Sequence, residues 1–152
     1  MILQGTDLQP FFSSYLQGGY KQDNLSLLSV EFAPPCIDGY IDVVQCFMPG
    51  DGKFHLTVPL AFICIAQLGI IYGCFDNKLS KKGSEIYLRE IELKCKRPIG
   101  KMQGILFRLE VIGKKIVPDG IFYKGRIDIE DKSFVGFASF ILPLTTSVPD
   151  NI

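Results

Sequence analysis

Eighteen consecutive residues, VPLAFICIAQLGIIYGCF at 58–75, carry no charge, and this run limits what the chain can become more than any other feature. A helix that is apolar on nearly every side is either the core of a surrounding structure or a membrane span, and eighteen residues is about the shortest run that crosses a bilayer. Lys53 and His55 precede it and Asp76, Lys78, Lys81 and Lys82 follow it, so the flanks give no clear positive-inside bias. The residues downstream decide the matter, because they read as amphipathic strands. A buried helix over residues 57–75 is therefore expected, ~28 Å long at about 1.5 Å per residue, wrapped by a sheet. Thr57 is its N-cap and Pro59 is tolerated in its first turn.

Strand signals lie on both sides of the helix. Residues 25–32 and 39–47 are rich in Leu, Val, Ile, Tyr and Phe, with Pro34 and Pro35 as a breaker between them. After a lysine-rich loop at 76–83, four strands are expected at 85–96, 102–112, 121–130 and 134–142 as one antiparallel meander. In the first of these, Ile86, Leu88, Glu90, Glu92 and Lys94 share one face and Tyr87, Arg89, Ile91, Leu93 and Cys95 the other, an imperfect alternation expected of a sheet with one wetter side. Residues 7–16 read as a short helix, capped by Thr6 or Asp7 and closed by Gly18 and Gly19. The expected organisation is one α+β domain over residues 1–152, with an N-terminal helix and linker at 1–23 and a core at 24–145. One long helix wrapped by an antiparallel sheet is the hotdog arrangement, and its open edge strands predict a homo-oligomer.

Composition narrows the function classes. Sixteen Lys plus Arg balance sixteen Asp plus Glu, which leaves no excess field for nucleic acid or an anionic membrane. The five cysteines form no Cys-x-x-Cys pair and there is one histidine, so no metal site is expected. An odd cysteine count without a signal-peptide pattern points to reduced thiols and a cytoplasmic location. Gly-x-Gly-x-x-Gly, the P-loop pattern, Gly-x-Ser-x-Gly and His-Glu-x-x-His are all missing, which removes the commonest nucleotide, serine-hydrolase and zinc-protease readings.

The candidate chemistry gathers at the start of the long helix. A helix N-terminus offers unpaired N–H groups and a partial positive charge, here at Thr57 and Val58, that can hold a developing oxyanion. His55, just before it, is placed to orient water or carry a proton; its bland alternative is a surface histidine. Gln67 is the one strongly polar group in the apolar run, and burying its amide unpaired costs on the order of 1–3 kcal/mol. It either contacts a thioester or water, or bonds a strand carbonyl. Cys64 shares its face at i, i+3 and is either a nucleophile or a small core hydrophobe. Asp51 is a reserve general base. Lys94, Lys96, Arg97 and Lys101 form a basic cluster around an Arg-Pro-Ile-Gly turn, suited to the phosphates of CoA or the acidic surface of an acyl carrier protein, or simply solvated.

The segments HLTVPLAFICIAQLGIIYGCF and IYLREIELKCKRPI resemble the helix and following strand of the mycobacterial long-chain fatty acyl-CoA thioesterases of FcoT type, over roughly residues 54–144. The resemblance implies a hotdog fold, hotdog dimers and cleavage of acyl thioesters, on CoA or on carrier protein in lipid or lipopeptide pathways, with no cofactor beyond the substrate's own CoA or phosphopantetheine. It places His55, Cys64, Gln67, Arg89 and Pro98 on matching positions, and Tyr15 opposite a family tyrosine. Two family asparagines are replaced here by Thr57 and Ala66. The expected activity is thioester hydrolysis. The alternatives are a non-catalytic hotdog that binds an acyl chain or carrier protein, and a hydroxyacyl-thioester dehydratase.

Overall fold

The charge-free run forms helix α1 (Val58–Asp76), in a computed structural model that describes residues 23–80 and 85–144. Strands β1 (Asn24–Ala33) and β2 (Cys36–Gln45) precede it, and β3 (Tyr87–Cys95), β4 (Ile105–Val117), β5 (Gly120–Ile129) and β6 (Phe134–Leu142) follow it. The helix expected at 7–16, with Tyr15, lies outside the described residues. Leu60, Ala61, Cys64, Ile65, Leu68 and Tyr72 recur at helical spacing and are buried, forming the core with Ile37, Phe107, Tyr123 and Phe140 of the sheet. Two glycines permit the close approach. A Cβ on Gly39 of β2 would lie 2.6 Å from Leu68 Cδ2, and one on Gly69 of α1 would lie 3.2 Å from the Phe140 ring.

The sheet covers only one side of the helix. Val58, Ile63 and Phe75 are 46%, 47% and 49% exposed, and Phe62 and Gln67 are exposed along the same stripe. The sheet wraps the inner face of the expected buried helix, and β1 reaches the edge of the outer one, where Phe32 meets Phe75 edge-on at 5.3 Å.

All neighbouring strands are antiparallel, in the order β1-β2-β4-β5-β6-β3. The meander holds for β4, β5 and β6 but not for β3, which lies at the far edge, pairing Ile91 with Ala138 and Cys95 with Phe134. The connection at 96–104 must therefore cross the end of the sheet. It is pinned there by Leu56 N–H to the Ile99 carbonyl at 2.8 Å and Val43 N–H to the Met102 carbonyl at 2.7 Å. This six-stranded antiparallel sheet around one helix is the hotdog fold.

Two bulges correct the strand readings. The register of β3 slips between Leu88 and Glu90, so Arg89 is an extra residue, and Leu88, Ile91 and Leu93 share the partly buried inner face. A second slip between Val111 and Gly113 lets β4 continue to Val117, through residues expected to be loop.

Candidate functional site

The crossing connection brings two separate sequence segments to one place. His55, Thr57 and Val58 from the approach to α1 and Lys96, Arg97 and Pro98 from the end of β3 line a cavity of about 380 Å³, with Phe134 at its side. Leu56 and Ile99 are 2% and 4% exposed and anchor the two segments by their side chains as well as by their shared hydrogen bond. In an extended chain the neighbours of a buried residue point the other way, which turns His55 outward and leaves Thr57 at the cavity. The cysteine and the aromatic arrive as a pair, because Cys95 and Phe134 are cross-strand partners.

The helix start is chemically unfinished. Thr57 holds N-cap geometry (φ −93°, ψ 157°) but makes no side-chain capping bond, and its Oγ1 is buried without a hydrogen-bond partner. Its carbonyl accepts the Ala61 N–H at 3.0 Å. Pro59 occupies the second helical position and has no N–H to give, so the donor on the cavity wall is Val58. No acidic residue occupies the first turn to neutralise the helix dipole, and among the described residues no carboxylate lines the cavity. Lys96 and Arg97 add positive charge. Their backbone N–H groups both donate to the Ser133 carbonyl, at 2.8 and 3.2 Å, and the Arg97 guanidinium donates to the Asp131 carbonyl. The result is a positive recess with one imidazole at its rim. Such a recess can hold an anion or stabilise an oxyanion. Among the described residues no group of three or more His, Cys, Asp or Glu is placed to hold a metal ion.

The other sequence candidates lie elsewhere. Gln67 is exposed, ~15 Å along the helix from Thr57 at about 1.5 Å per residue, so its amide needs no buried partner. It lines two apolar grooves between α1 and β1, of about 260 and 300 Å³. Cys64 faces the smaller of these and is 2% exposed. Burial pushes its thiol up to about 12, which leaves almost no thiolate at neutral pH and argues for the core reading over the nucleophile. Asp51 accepts the Lys53 N–H at 3.0 Å within its own turn and does not line the cavity. The basic cluster divides. Lys94 stands on the outer face of β3 near Glu92, and Lys101 pairs with Glu130 at 2.8 Å. That leaves Lys96 and Arg97 at the cavity.

Arg89 lines a larger depression of about 550 Å³ on the outer face of the sheet. There Glu90 and Glu92 offset Arg89 and Lys124, and it contains neither an imidazole nor a helix end. The cavity at α1 is the better candidate on chemistry, despite its smaller volume. Phe134, Ser133 and Asp131 were missed by sequence reading, because only the β3–β6 pairing reveals them.

No protein-family model and no curated protein matches the sequence. Solved structures do. The chain is similar to a dehydratase heterocomplex from Xenorhabdus doucetiae, with a TM-score of 0.58 and 16% identity over 79% of this chain and 84% of that one. It is also similar to a glutamine-to-alanine mutant of a thioesterase from Staphylococcus aureus subsp. aureus Mu50 (TM-score 0.53, 10% identity, 78% and 93% covered). A thioesterase from Haemophilus influenzae gives 0.51 and 17% over 81% and 82%. At these identities the likeness establishes the hotdog fold.

Proposed function

We propose that the chain hydrolyses an acyl thioester in the cavity before α1. The observation that carries this reading is the meeting of His55, the unfinished helix start at Thr57 and Val58, and the cations Lys96 and Arg97 in one recess. Two of the similar structures are thioesterases, which supports it. The thioester carbonyl oxygen is polarised by the Val58 N–H and the Thr57 hydroxyl. His55 takes a proton from water as the oxygen attacks the carbonyl carbon. The carbon–sulfur bond then breaks, and the departing thiolate receives that proton from the imidazolium. Lys96 and Arg97 hold a phosphate of the CoA or carrier-protein arm.

The finer parts belong to the same proposal: an acyl-CoA or acyl carrier protein substrate, a cytoplasmic location, and a homo-oligomer that covers the exposed stripe of α1 and the open edge of β3. Membership of the FcoT-type thioesterases is also part of it. Of the positions that resemblance matches, His55 and Pro98 line the cavity, whereas Cys64, Gln67 and Arg89 do not.

Two observations favour other readings. The dehydratase neighbour fits removal of water from a hydroxyacyl thioester, with His55 as base. The carboxylate-free lining fits a non-catalytic acyl or carrier binder. Thiol release from acyl-CoA and acyl-carrier thioesters tests all three. His55→Ala is expected to lower turnover at least tenfold, about 1.4 kcal/mol. No thiol release by the wild-type chain sinks the hydrolase reading; double-bond formation from a hydroxyacyl thioester then selects the dehydratase, and saturable acyl binding without turnover selects the binder.

A further inference from the structure

Three consecutive non-glycine residues in the turn between β5 and β6 occupy the left-handed region: Glu130, Asp131 and Lys132, with φ of 50°, 48° and 61°. Such residues visit that region singly and at a cost, and a run of three persists only where its surroundings hold it there. The holding contacts centre on Glu130. Its N–H donates to the Leu106 carbonyl at 3.0 Å, and its Oε1 accepts the Leu106 N–H at 2.6 Å and pairs with Lys101 Nζ at 2.8 Å. At the other end of the turn, Lys132 N–H donates to Asp128 Oδ1 at 2.8 Å. The turn in turn grips the site. The Asp131 carbonyl receives the Arg97 guanidinium, and the Ser133 carbonyl receives the N–H groups of Lys96 and Arg97.

We infer that Glu130 is a positioning residue: it locks the left-handed turn that aims Arg97 at the phosphate of the pantetheine arm. This rests on the proposed role of Arg97 as a phosphate ligand. An arginine on a flexible stem loses side-chain freedom when it grips an anion, and one already tied to a rigid carbonyl loses less. Lys101, expected from sequence to touch phosphate itself, acts here on Glu130.

The test compares binding of 4′-phosphopantetheine and pantetheine, which differ by the one phosphate, to the full chain by calorimetry. Neither measurement needs turnover, so it is separate from the test of hydrolysis. The wild-type chain is expected to prefer the phosphorylated ligand at least tenfold. Glu130→Ala should cut that preference at least fivefold, Arg97→Ala as much, and the double variant no further. Glu130→Gln, which keeps an acceptor for the Leu106 N–H, should restore it to within twofold of wild type. Lys132→Gly, which suits a left-handed backbone, should leave it unchanged and guards against misfolding of the alanine variant. CoA as a third ligand identifies the source: equal losses on CoA and phosphopantetheine place the contact on the phosphate they share, and a loss confined to CoA places it on the adenosine side. An unchanged preference in Glu130→Ala, equal weakening of both ligands, additive losses in the double variant, or no wild-type preference overturns the inference.

Discussion

The two ends of α1 are built to opposite standards. At the C-terminal end a network of hydrogen bonds ties the helix to the sheet. Asn77 donates through Nδ2 to the Gly73 carbonyl at 2.7 Å and to the Tyr123 hydroxyl at 2.8 Å. That hydroxyl donates to Asp76 Oδ2 at 2.7 Å, where Lys114 Nζ also arrives at 2.6 Å. Asp76 stands at the negative end of the helix dipole, an unfavourable place for a carboxylate, and the lysine and tyrosine offset it. At the N-terminal end the threonine hydroxyl caps nothing, a proline removes a donor and no acid answers the dipole. One end fixes the helix to β4 and β5. The other leaves the Thr57 hydroxyl buried and without a hydrogen-bond partner.

This contrast can be broken first at its strong end. Tyr123 is fully buried, stacks on Phe140 at 5.3 Å and meets Tyr72 edge-on at 5.8 Å. Tyr123→Ala removes the ring and takes one hydrogen-bond partner each from Asp76 and Asn77, and should cost about 4 kcal/mol in urea unfolding. A loss below about 1 kcal/mol, the scale of one ordinary hydrogen bond, means the wiring is not an anchor.

A milder probe is pH. Burial alone would raise the Asp76 carboxyl, but hydrogen bonds from Lys114 and Tyr123, with the charge of Lys114, outweigh it and hold it below its usual 3.8. A carboxylate with a depressed folded pKa contributes stability that is fully present above its unfolded value and is lost as pH falls through the folded one. Stability from this group should therefore be constant above roughly pH 5 and decline below about pH 4, and Asp76→Asn should flatten that part of the acid limb. An unchanged acid limb in Asp76→Asn assigns the decline to other carboxylates.

The smallest effect on stability is expected at the open end. Replacing a working threonine cap costs about 1 kcal/mol, whereas Thr57→Val should cost under ~0.5 kcal/mol because no capping bond is lost, yet lower thiol release at least fivefold. A full capping penalty with unchanged turnover would reverse the assignment of the two ends.

Elements were legible in the sequence where periodicity alone decides them. Thr57 and Pro59 mark the helix start, and β6 runs over the residues its pattern predicts. What stayed hidden depends on contacts distant in the chain. Alternation across Arg89 misplaced Tyr87, because a bulge leaves no signature in residue type. The neighbouring cations Lys94 and Lys96 read as one cluster until the sheet put Lys94 on its outer face. Gln67 looked buried because its neighbours are apolar, although hydropathy cannot say which side of a helix a sheet will cover. His55 and Arg97 stand 42 positions apart, and only the crossing connection at 96–104 makes them neighbours.

The pairing of β3 with β6 also sets an order of assembly. During synthesis β3 emerges about 40 residues before its partner, and with it Lys96, Arg97 and Pro98. Until Phe134 and the strand it opens leave the ribosome, these residues have no frame. The nascent chain then carries a strand whose partly buried face of Leu88, Ile91 and Leu93 lies open to water. Long-range pairing of this kind is slow and exposed to aggregation. The recess at α1 is therefore among the last parts of the molecule to be completed, because Phe134 on its wall opens the last strand of the sheet.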